Sequence, residues 1–161
     1  MVTKHQSGAH QYKSLLTWTG NKGSGTKNYK VYDRNYDIII EGKPTLAGSS
    51  DPAFRGDATR HNPEDMLLAA ISSCHMLWYL HLCSVNRIVV TRYEDPAIAT
   101  MVMNTDGSGQ FSSATLYPRV TITSESDPQR AKELHHEASK MCFVARSMNF
   151  PIGHEPSIKQ V

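Results

Sequence analysis

The chain has 161 residues, about one domain's length and enough to bury a sizeable core. Apolar residues make up 39%, charged residues 20%, and 17 Lys plus Arg against 15 Asp plus Glu leave a net +2. That near-neutral balance argues against a basic nucleic-acid-binding domain, a polyanion-binding tail and an intrinsically disordered acidic chain.

The first residues, MVTKHQSGAHQYK, lack the continuous apolar stretch of a signal peptide, and a flexible N-terminus is expected over about 1–11. Residues 12–18 read as a first strand, followed by a turn-rich connection containing Gly20, Gly23 and Gly25. Residues 30–32 and 37–40 read as two arms of a hairpin around Asp33-Arg34-Asn35. Glu41-Gly42-Lys43-Pro44 is a further turn signal. The polar segment 48–61 (GSSDPAFRGDATRH) has no periodicity and predicts a long loop, of a length more often functional than decorative.

Asn62-Pro63-Glu64-Asp65 is a strong helix start, with a capping residue, proline at the first helical position and acids in the first turn. The helix is expected from Pro63 to about Ser84, with apolar residues on nearly every face, as for a central helix. Residues 66–85 are apolar enough to raise a membrane span. They also carry His75, His81 and three serines, which favours a buried helix of a soluble protein. Beyond Asn86, residues 88–93, 97–103 and 111–124 read as strands of an antiparallel meander, the last two joined by a turn over 104–109. Asp127-Pro128 opens a second helix, on which Ala131, Leu134, Ala138 and Met141 recur three or four apart. Residues 152–161 predict an edge strand. No internal repeat is present, and a single domain over 1–161 is expected.

Three cysteines, Cys74, Cys83 and Cys142, are too few for a disulfide scaffold and have no metal-knuckle spacing, so free thiols in a reducing, cytoplasmic compartment are expected. Cys83 lies nine residues from Cys74, about 180° around the helix and roughly 13.5 Å along it. The two point to opposite sides, and Cys83 reads as core. Cys74 shares its face with Leu77, Trp78 and His81, which predicts an apolar and aromatic substrate pocket. Burial there raises a thiol pKa unless a cation compensates. Arg34 in the hairpin and Arg55 in the loop are the candidates, since a guanidinium fixed by a carboxylate presents a planar donor fork. His75 and His81 differ by about 120° in direction and His135 and His136 by about 100°, so neither pair is a ready chelate. The Gly20, Gly23, Gly25 cluster lacks a following helix and the lysine-hydroxyl pair of a phosphate loop. No metal or cofactor is expected.

The segments HNPEDMLLAAISSCHMLWYLHLC and KMCFVARSMNFPI, with the GSSDPAFRG loop and the Pro118 strand, resemble the OsmC/Ohr family of thiol-dependent peroxidases. The resemblance is to the OsmC-like branch, because Phe143 and not proline follows the second cysteine. It implies an α/β (α+β) fold: an intertwined homodimer with antiparallel sheets around two central helices and a site at each interface. It places the peroxidatic cysteine at Cys74, the resolving cysteine at Cys142, the helix-start glutamate at Glu64 and the hairpin arginine at Arg34, with Arg55 as its rival. The implied reaction is reduction of organic hydroperoxides through a Cys74 sulfenic acid and a Cys74–Cys142 disulfide. The implied recycling partner is a dithiol such as protein-bound dihydrolipoamide. The charge balance and the polar residues within the one apolar stretch give no expectation of a nucleic-acid or membrane partner. A non-enzymatic dimer of the same fold that binds a small hydrophobic ligand is the alternative. Glu64 lies about 15 Å along an ideal helix from Cys74, so the two cannot touch on one straight helix. The 68-residue separation of Cys74 and Cys142 gives no spacing argument for their proximity.

Overall fold

The computed structural model describes residues 8–161. The expected flexible segment falls partly on residues 1–7, outside those described. The chain forms two compact units, one up to Glu64 and the other from Asp65 onward.

The first unit is built on a three-stranded antiparallel sheet of β1 (Leu15–Trp18), β2 (Tyr36–Ile39) and β3 (Leu46–Gly48), in that order. Residues 30–32 are not the hairpin arm that the sequence predicts: β2 pairs with β1, setting Leu15 opposite Ile39 and Trp18 opposite Tyr36. The connection is held instead by its own polar groups. Asn21 Oδ1 accepts from the Gly23 and Gly25 amides, and Asn28 Oδ1 accepts from Lys30 N. The turn at Gly42 is as expected, with φ +75°. Within the 48–61 loop a short 3-10 helix, Pro52–Phe54, is capped by Asp51. Arg55 then takes a left-handed φ of +65°. Gly56 follows because a Cβ there would stand 1.5 Å from the Ser50 carbonyl oxygen.

The second unit contains most of α1 (Pro63–Val85), α2 (Pro128–Met141) and two three-stranded sheets. One sheet has the order β4 (Val90–Glu94), β7 (Arg119–Ile122), β9 (Ser157–Gln160), and the other β5 (Ile98–Met103), β6 (Gly109–Leu116), β8 (Ile152–His154). The predicted meander is corrected here. Tyr117-Pro118 splits the expected 111–124 strand into β6 and β7, which belong to different sheets, and β4 pairs antiparallel with β7 across the intervening β5–β6 hairpin. Proline cannot donate to a ladder, so the strand ends there. The expected single edge strand at the C-terminus is likewise two strands, each pairing parallel at the edge of a different sheet.

On α1 the fully buried residues are Ile71, His75, Tyr79 and Cys83, spaced four apart and therefore forming one stripe. Tyr79 and Cys83 enter a core completed by Ile88, Val120, Ile122, Ala131, Leu134 and Ala138. The helix is long and apolar enough in composition to cross a membrane, yet this stripe makes it a core element of the unit. Asp127 caps α2 as its sequence predicts, accepting from Gln129 N and Arg130 N.

Candidate functional site

The predicted site residues are divided between the two units. In the first unit, Arg34 and Arg55 line one recess of about 160 Å³ with Asp33 and Asp57. Arg34 is firmly held. Its terminal nitrogens donate to the carbonyls of Tyr32 (2.6 Å) and Tyr29 (2.7 Å), and its guanidinium carbon lies 4.0 and 4.2 Å from the centres of those residues' rings. Arg55 is 5.9 Å from the Tyr29 ring.

Among the described residues no ion pair joins Glu64 to Arg34 or Arg55. Glu64 instead has one carboxylate oxygen, Oε2, buried without a hydrogen-bond partner. It lies near Tyr36, whose hydroxyl pKa is raised first by burial and then by the glutamate's charge.

In the second unit the two thiols come together. Cys74 stands on α1, half-buried, and Cys142 caps the C-terminus of α2, fully buried. The Cys142 sulfur accepts from Ala145 N at 3.4 Å, and its pKa is pushed up to about 11, first by burial and then by the neighbouring Cys74 thiol. The Ala145 and Val144 amides oppose that rise. At neutral pH Cys142 is a thiol. Cys83 is 1% exposed in the core, as its helical angle predicts.

Of the predicted pocket residues, Leu77 is 63% exposed, and Trp78 meets His81 (5.8 Å) and Phe143 (5.5 Å) edge to face. A partly enclosed cavity of about 190 Å³ lies among Ile71, His75, Ala145, Arg146 and His154. Phe143 was visible in the sequence only as the residue after Cys142.

Among the described residues no cluster of three His, Cys, Asp or Glu side chains has a geometry for holding a metal ion. Two histidines nonetheless form a buried pair. His75 Nε2 stands 3.0 Å from His135 Nδ1, and His135 stacks on Tyr79 at 3.7 Å with 11° between planes. Burial, reinforced by neighbouring histidines, pulls the pKa of His75 to about 4 and of His135 to about 3, so both are neutral at pH 7.

This arrangement of sheets and helices is that of the OsmC/Ohr class of folds. The sequence profile of the OsmC-like protein family matches residues 56–156, and the chain belongs to that family. An OsmC-like protein of unknown function from Vibrio cholerae is 25% identical, with a TM-score of 0.84 over 92% of this chain and 100% of that one. The organic hydroperoxide resistance protein OsmC of Legionella pneumophila is 14% identical (TM-score 0.65, 94% and 99% covered). The organic hydroperoxide resistance protein OhrB of Bacillus subtilis is 18% identical (TM-score 0.61, 91% and 98% covered). No curated protein matches in sequence.

Proposed function

We propose that the protein is a thiol-dependent peroxidase that reduces organic hydroperoxides to alcohols and works as a homodimer. The observation that carries this reading is the meeting of Cys74, half-buried and reachable, with Cys142, buried behind it. The names of the Legionella and Bacillus structural relatives support the substrate class.

In the first step the Cys74 thiolate attacks the distal peroxide oxygen. The O–O bond breaks, the alkoxide leaves and takes up a proton to become the alcohol, and Cys74 becomes a sulfenic acid. In the second, the Cys142 sulfur attacks the Cys74 sulfur, forming the disulfide and releasing water. An external dithiol, of the protein-bound dihydrolipoamide kind, then reduces the disulfide by two exchanges and leaves oxidised.

An arginine, Arg34 or Arg55, orients the thiolate and peroxide and stabilises the departing alkoxide. Glu64 holds that arginine. Its buried, unpartnered oxygen supports this assignment, because leaving such an acceptor alone costs roughly 1–3 kcal/mol or more. This reading assigns the donor to the second copy in the dimer. Leu77, Trp78 and His81 offer the organic group of the peroxide an apolar surface.

Peroxide consumption with a dithiol reductant tests the scheme. Cys74→Ser is expected to lose turnover and Cys83→Ala to keep it. Cys142→Ser is expected to consume one equivalent and form no internal disulfide. Turnover without Cys74 would overturn the mechanism, and tight retention of a hydrophobic ligand with no thiol oxidation would point to a binding protein.

A further inference from the structure

Outside the thiol pair, the second unit holds a buried hydrogen bond between His75 and His135. His75 follows Cys74 directly on α1. His135 precedes Cys142 by seven residues, two turns of α2, which puts the two on nearly the same stripe of that helix. The bond therefore joins the two cysteine-bearing helices beside the thiols. His75 is 2% exposed and His135 fully buried, and the His135 ring lies between Tyr79 and His75, within 11° of parallel to both.

The free energy of apolar burial is non-directional, whereas a hydrogen bond loses strength steeply with angle, so this bond adds an angular constraint to the packing of the two helices. The contact is also retained at a cost: His135 Nε2 is buried with no partner, so a leucine of similar bulk would be the cheaper filler. Every neighbouring core position on α2, Ala131, Leu134 and Ala138, is apolar.

We propose that His75 and His135 are positioning residues whose hydrogen bond sets the rotation of α1 against α2 that lets Cys74 and Cys142 join. The inference rests on reading those cysteines as a redox pair, but not on peroxide being the oxidant. The pair neither touches substrate nor transfers a proton in this role.

The test measures Cys74–Cys142 disulfide formation by the full-length protein in a glutathione buffer, where one glutathione disulfide plus two protein thiols gives one protein disulfide plus two glutathiones. His135→Leu is expected to lower the equilibrium constant about tenfold, a shift of about 30 mV. His135→Asn keeps a polar atom where Nδ1 stood and is expected to come back to within about threefold of wild type, although it too removes the ring's packing. H75L/H135L leaves neither histidine's ring nitrogens buried without the other, guards against failure to fold, and is expected to keep the leucine deficit.

An unchanged constant in His135→Leu, an equal loss in His135→Asn, recovery in the double variant, or absence of the wild-type disulfide would each overturn the proposal. A second arm repeats the oxidation with cumene hydroperoxide. A wild-type disulfide from glutathione but none from peroxide would overturn the peroxidase reading and leave the positioning role standing.

Discussion

Cys142 is the residue at which the chemistry is most sharply constrained. A buried thiol with a pKa near 11 is almost wholly protonated at neutral pH, and only the thiolate is a competent nucleophile. The disulfide-forming step should accelerate by about tenfold per pH unit between pH 7 and 9, followed by stopped-flow after stoichiometric peroxide. A flat profile would mean that Cys142 does not resolve the sulfenic acid. Cys142's burial could not be read from sequence, because 68 residues separate it from its partner and only the resemblance joined them. Cys83 was legible, since helical geometry alone turns it away from Cys74. His135 is weighed in the sequence only with its neighbour His136, as a chelate whose rings diverge by about 100°; what marks it out is its place one residue after Leu134 on the buried stripe of α2.

At the scale of elements, the helices were legible and the sheets only partly so. Asp127-Pro128 and Asn62-Pro63 announce helix starts through local chemistry, and both starts fall where the sequence places them. Strand partners depend on distant segments. Nothing in the 152–161 segment shows that it supplies two parallel edges, and residues 30–32 have strand-like composition but yield to Arg34, which binds the Tyr29 and Tyr32 carbonyls.

The helix pair also carries a pH prediction. The unfolded chain protonates His75 and His135 near pH 6.5, whereas the folded chain resists protonation until about pH 4 and about pH 3. Their contribution to stability is complete above pH 6.5 and is lost as pH falls below it, on the order of 2 kcal/mol per ring near pH 4.5. The melting temperature of the wild type should therefore fall between pH 7 and 4.5, and that of His135→Asn should fall less. Parallel slopes would show that His135 does not titrate this way.

For the whole molecule, the apolar surface is the dominant fact. Only one stripe of α1 is buried, while Leu77 and Val85 are each 63% exposed; Ile98, Val102 and Met103 on β5 are each more than half exposed. Exposed apolar surface of that kind marks an interaction site. The sequence predicts apolar residues on nearly every face of α1, and on the proposed reading the partner that covers them is a second copy. Sedimentation at micromolar concentration should give the mass of two chains, and Leu77→Asp should shift it toward one. A wild-type monomer would remove the dimer from the account.

The central claim is that Cys74 and Cys142 form a peroxide-driven redox pair. Intact-mass analysis of the reduced protein after one equivalent of cumene hydroperoxide, followed by peptide mapping, tests it most directly. The account predicts a loss of about two mass units, the two thiol hydrogens, and a peptide linking Cys74 to Cys142. Accessible thiols left unchanged by the peroxide would contradict it.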